Sequence, residues 1–188
     1  TVVPGPSTAA GLGQATATAT CPAGTMVVGG GGSIIPQGGR APVGVTMTAS
    51  YPSTAAAGLV TSGAAQGWSV VGTSGGGAST TSAYVICLPS GSIPAVHVRA
   101  SAPAAPPSAG APAVAVATCA AGGILLGGGF AVTGSPLPDA HVRASYPSAA
   151  DGSPGSDAPV VGSWTAIAEG ERATATSTTT AFALCSGG

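Results

Sequence analysis

The feature that most constrains this chain is an internal duplication. The segment ATCPAGTMVVGGGG begins at Ala19 and ATCAAGGILLGGGF begins at Ala117. Further matches keep the same order: TASYPS (Thr48–Ser53) with RASYPS (Arg143–Ser148), GWSV at Gly67 with SWTA at Ser163, and SAYVIC with TAFALC. A sequence that repeats at this length folds as two copies of one supersecondary unit. The division falls at 1–92 and 93–188.

Cysteine spacing strengthens the division. Cys21 and Cys87 stand 66 positions apart, as do Cys119 and Cys185. Four cysteines allow three pairings, and the equal spacing selects Cys21–Cys87 with Cys119–Cys185, because each copy then closes its own loop. A loop of that length stabilises by about 4 kcal/mol in the chain-entropy model. Disulfides also imply an oxidising, extracellular or cell-surface location. A first residue of Thr rather than Met fits a mature chain whose export signal has been removed.

Hydrophobic periodicity is two rather than 3.6. The run Ala15 to Cys21 alternates Ala with Thr, and Val43 to Ala49 alternates in the same manner, as half-buried strands do. Gly, Pro and Ser clusters separate such runs, and amphipathic helical spacing is missing. Each copy is therefore expected to be an antiparallel β-sandwich or small barrel of six or seven short strands. The fold class is all-β, in two tandem disulfide-closed domains.

Only 5% of residues are charged, with four Arg, five acids and no Lys, against a usual share of about 25%. Nucleic-acid partners and polybasic membrane anchoring are excluded on that ground. No apolar run reaches the roughly 18 residues of a membrane-spanning helix. Disorder is also excluded, since it needs low hydrophobicity with high net charge, whereas 44% of residues are hydrophobic and the net charge is −1. A surface of Ser, Thr, Gly and Ala lacks the charge that keeps monomers apart. Self-association is thus the first partner expectation.

The pattern Cys-Pro-Ala-Gly…Gly-Gly-Gly…Ser-Tyr-Pro…Gly-Trp…Tyr-x-x-Cys resembles an uncharacterised secreted tandem-repeat β domain of GC-rich filamentous bacteria. Absence of Asn and Lys, with abundant Ala, Gly, Pro and Val, agrees with such a genome. The resemblance implies a β fold and export, and no activity. The second copy departs from the pattern at Ala120, where the first has Pro22, and at Phe182, where it has Tyr84.

Few residues offer chemistry. Tyr51 with Trp68 and Tyr146 with Trp164 recur in both copies, and exposed pairs of this kind would stack on a sugar ring; a polysaccharide is the corresponding alternative ligand. Burial of each Trp against its own disulfide is the stronger expectation, as in immunoglobulin-like sandwiches. The Tyr84-to-Phe182 exchange marks that ring as a core packing element. His97 and His141 both sit in His-Val-Arg-Ala-Ser, where His and Arg share one strand face. They lack a third ligand type, so no metal or cofactor site is expected, and Asp139 with His141 lacks a nucleophile. Gly72 to Gly76 has the letters of a nucleophile elbow without its strand-to-helix setting. The glycine runs at 29–32 and 127–129 lack the Lys of a phosphate loop and are read as bends or bulges where backbones approach closely. No acidic pair recurs, so no catalytic residue is assigned.

Ahead of Cys119 lies an extra strand, Val96–Ser101, for which the first copy offers only Thr1-Val-Val3. The first copy is accordingly expected to lack an edge strand, leaving an edge that another chain could fill. The function expected is a non-enzymatic, self-associating subunit of an extracellular filament, sheath or coat, joined head to tail; a carbohydrate-binding or adhesive module is the alternative.

Overall fold

The computed structural model describes residues 1–10, 13–37, 44–75, 77–106, 110–134, 140–155, 162–170 and 177–187. Their regular structure is entirely β. The first repeat contributes β1 (Val2–Pro4), β2 (Thr8–Ala10), β3 (Gly13–Thr20), β4 (Thr25–Pro36), β5 (Val45–Ser53), β6 (Ser62–Gly63), β7 (Gly67–Ser74) and β8 (Ser79–Pro89). The second contributes β9 (Val96–Ala100), β10 (Pro112–Thr118), β11 (Ile124–Thr133), β12 (Ala140–Ser148), β13 (Ser163–Gly170) and β14 (Thr178–Ser186).

Each repeat is a pair of antiparallel sheets. In the first, β3-β7-β5 faces β4-β8, with β1 and β2 sharing the far edge of β8; in the second, β10-β13-β12 faces β11-β14-β9. The duplication extends to irregularities. A bulge interrupts β4 between Val27 and Gly29 and β11 between Leu125 and Gly127; a second interrupts β5 between Met47 and Ala49 and β12 between Val142 and Ala144. Cys21 is bonded to Cys87 and Cys119 to Cys185, as the spacing required.

Alternation decides which side chains fill the space between sheets. Ala15, Ala17 and Ala19 of β3 and Ala113, Ala115 and Ala117 of β10 point inward, while Thr16 and Thr20 point out. Such small residues keep the sheets close and leave one large hole per repeat for a Trp. The hole is completed by a glycine of the run: a Cβ on Gly30 would overlap the Trp68 ring, and one on Gly128 would overlap Trp164. The glycine runs are thus sites of close approach, next to a bulge, as their composition suggested.

The expected open edge on the first repeat is corrected by the structure. The chain's own N-terminal segment occupies it, with Val2 opposite Ile86, Pro4 opposite Tyr84 and Thr8 opposite Thr81. Pro4, Gly5 and Pro6 divide that strand in two without removing it. Gly5 still donates its N–H to the Ala83 carbonyl at 2.9 Å, and a side chain there would strike the Thr18 carbonyl.

The repeats are not merely adjacent. β11 pairs with β5, Phe130 opposite Ser50 and Ala131 opposite Ala49, so that β3-β7-β5-β11-β14-β9 runs as one sheet through both. The loop after β5 returns to add β6 beside β9, with Ser62 opposite Arg99 and Gly63 opposite Val98.

Candidate functional site

The four recurring aromatic residues are held alike but exposed unequally. Trp68 Nε1 donates to Ser50 Oγ at 2.8 Å, and Trp164 Nε1 donates to Ser145 Oγ at 2.8 Å. Tyr51 donates its hydroxyl to the Ala57 carbonyl at 3.2 Å, and Tyr146 donates to the Gly152 carbonyl at 3.0 Å. Trp68 shares a core cluster with Cys87 and Cys21, and Trp164 one with Cys119 and Cys185. Yet Trp68 is 0% exposed whereas Trp164 is partly open. A sealed ring offers no face to a sugar, so the two Trp do not form a matching pair of stacking platforms.

The cover over Trp68 comes from the second repeat. Gly129 lies against the Ser50 carbonyl and the outer edge of the Trp68 ring, close enough that a Cβ would collide with the former. Gly127 lies less tightly against the Val28 carbonyl and Gly29. Leu184 and Val96 join the first repeat's core cluster beside Trp68. Phe182, Val98 and Ala131 pack with Ala49, Val60, Val71 and Tyr51 in a further cluster shared by both repeats. The Tyr51 and Phe182 ring centroids stand 6.4 Å apart. Burial raises the Tyr51 phenol above its usual value, and the Ser69 hydroxyl pulls it partway back.

What the second repeat brings to this junction is the outer face of its β11-β14-β9 sheet. The matching face of the first repeat has no such cover among the described residues. Register identifies Ile86 with Leu184, Tyr84 with Phe182 and Val2 with Val98, since each pair sits at the same place in its ladder. Phe182 and Leu184 are 0% exposed, but Tyr84 is 41% and Ile86 42% exposed, with Val2 and Ile35 more so. The expectation that Tyr84 is a core element is therefore corrected. Its counterpart is buried only because a neighbouring repeat covers it.

Beside the junction, a cleft of about 280 Å³ is lined by Gln14, Thr16, Thr48, Tyr51, Val71 and Thr133 among others. Its polar lining is hydroxyl and amide, without a carboxylate or an amine. Elsewhere His97 and Arg99 of β9 are exposed while Val96 and Val98 are buried. Arg143 forms an ion pair with Glu169. Asp139 lies outside the described residues, and among those described no cluster of three metal-ligating side chains occurs. Ser74 ends an antiparallel strand and donates its hydroxyl to the Gly77 carbonyl at 2.5 Å, and Gly76 lies outside the described residues.

The residues that sequence reasoning missed are the outer ones of β8. A signal for them existed: Ala83, Val85 and Cys87 fill the inner face, yet Tyr84 and Ile86 keep the outer face apolar as well. Apolar residues on both faces are the pattern of a strand covered on both, whereas Tyr84 and Ile86 are exposed in this chain. No protein-family model, no curated protein and no solved structure matches the chain.

Proposed function

We propose that this chain is a non-enzymatic extracellular structural protein, a self-associating subunit of a surface filament, sheath or coat. The observation that carries the proposal is the head-to-tail contact inside the chain. β5 of the first repeat meets β11 of the second, and the element that corresponds to β11 in the first repeat is β4, not β5. Contacts between unlike surfaces leave one surface of each kind unused, and repetition of the contact gives a ring or an open fibre. Two further features agree. Nine charged residues in 188 oppose little repulsion to close contact, and two internal disulfides suit a protein that works in an oxidising space.

Light scattering and negative-stain microscopy across a range of concentrations test the proposal. The expected result is a mass well above the 17.2 kDa of one chain, growing with concentration and not reduced by molar salt, because little charge is available to screen. A chain that stays monomeric throughout would overturn it. The cleft at Tyr51 would then be the place to look for a carbohydrate ligand.

A further inference from the structure

We infer that chains join by repeating their own internal contact, the outer face of β4-β8-β1 in one chain seating on Trp164, Tyr146 and the free edge of β12 in a second copy. This deepens the self-association proposed above and rests on it. Within the chain, the inserted face consists of Phe182, Leu184 and Val98 with two glycines, Gly127 and Gly129, beside them. The first repeat presents Tyr84, Ile86 and Val2, with Gly29 and Gly31, at the same ladder positions. The large apolar positions are thus matched, while Tyr84 for Phe182 and Ser33 for Ala131 each add one hydroxyl and Pro4 stands for Ala100.

The receiving surface is duplicated in its aromatic and hydrogen-bonded part, with Gly155 in the place of Val60 and Arg143 in the place of Thr48. Trp68, Tyr51, Ser50 and Ala49 accept the second repeat; Trp164, Tyr146, Ser145 and Ala144 are their counterparts, with the same Trp-to-Ser and Tyr-to-carbonyl hydrogen bonds. Trp68 is sealed where its neighbour covers it, and Trp164 is partly open, with no second repeat seated on it among the described residues. Gly31 shows the same from the other side: its outward direction is empty to 4 Å, whereas Gly129 is pressed on Ser50.

Backbone pairing can propagate as well. Among the described residues, β4 pairs only with β8 and β12 only with β13, so each keeps one edge without a strand partner. Transferring the internal register places Gly32 opposite Ser145 and Ser33 opposite Ala144 of the neighbour. No strand edge is used twice in this arrangement, since β11 already pairs with β5 through the edge that corresponds to the free one of β4. The occupant of the apolar face is therefore a second copy of this chain.

Two measurements on the full-length chain test the contact. The first compares assembly of the native chain with Tyr84→Asp/Ile86→Asp and, as a control, Ser92→Asp in the exposed turn after β8. The double variant is expected to need roughly tenfold or more protein to assemble, as loss of buried anchor residues does, and the control to behave as the native chain. The second mixes a Ser33→Cys chain with an Ala144→Cys chain. Every native cysteine is disulfide-bonded, so a reducible dimer that forms in the mixture and not from either chain alone reports this register.

Native assembly that is unaffected by the double variant, with no mixed dimer, would overturn the proposed contact and leave self-association standing. A native chain that never assembles would overturn both. If the double variant loses its β-sheet circular dichroism, Gly31→Val carries the same test, because its side chain enters open space in the free chain.

Discussion

The two repeats share their disulfide, their bulges and their Trp-on-glycine packing, yet they differ in what covers the outer side of the last strand. On β14, Phe182 and Leu184 are enclosed; on β8, Tyr84 and Ile86 meet solvent. The difference does not arise from local sequence, since both pairs are large and apolar at equivalent register. It arises from order along the chain: only the second repeat has a neighbour on that side. In the proposed assembly, the face used once within the chain is used again at its other end.

The largest effect expected from this contrast follows truncation of the matched aromatic rings. Phe182→Ala should cost about 3–5 kcal/mol, as emptying a buried Phe site does, and Tyr84→Ala about 1 kcal/mol or less, as surface changes do. Chemical denaturation of dilute protein measures both. Equal losses would break the comparison.

Removal of each disulfide by paired Cys→Ala substitution should, in contrast, show the repeats to be alike. The two loops have the same separation of 66, so each bond contributes about 4 kcal/mol in the chain-entropy model. Thermal unfolding of the two variants should give matching losses. A bond worth twice its counterpart would mean that one repeat closes largely without its own.

Glycine positions sharpen the contrast at smaller scale. Gly129→Ala drives a methyl group into the Ser50 carbonyl of the other repeat and should cost about 1–3 kcal/mol, the usual penalty of overpacking. Gly31→Ala, at the matching position, meets nothing within 4 Å and should leave the unfolding midpoint of the free chain unchanged or slightly raised. Destabilisation of equal size at both positions would show that the outer face of β4 is already covered.

The smallest effect concerns pH. Burial raises the Tyr51 phenol above the ordinary value of 10.0, so the folded chain holds that proton more tightly than the unfolded chain does. The associated stability is complete below pH 10 and is lost as pH rises through the folded value. Unfolding midpoints between pH 8 and 11 should fall less steeply for Tyr51→Phe than for the native chain. The same slope in both would remove Tyr51 from the buried junction.

Much of this architecture was legible in the residues. Alternating Ala and Thr in β3 announced its buried and exposed faces, equal cysteine spacing announced the bonds, and the recurring glycine runs announced close backbone approach. Two features were not legible. The first-repeat edge strand escaped notice because Val2–Pro4 is too short to show a period and Pro4-Gly5-Pro6 reads as a break. The junction between repeats escaped because β5 and β11 pair over only Ser50–Phe130 and Ala49–Ala131, a choice made by tertiary fit rather than by turn chemistry. Tyr84 was misplaced for the same reason. Comparison of repeats reveals which positions stay apolar but not which of them has a neighbour.

Electron cryo-microscopy of assembled protein tests the central claim most directly. The expected result is an assembly in which the contact between chains superposes on the contact between repeats, with Tyr84 and Ile86 of one chain enclosed against Trp164 and Tyr146 of the next and β4 paired to β12. Closed two-fold dimers, or polymers in which Tyr84 and Ile86 remain in solvent, would contradict it.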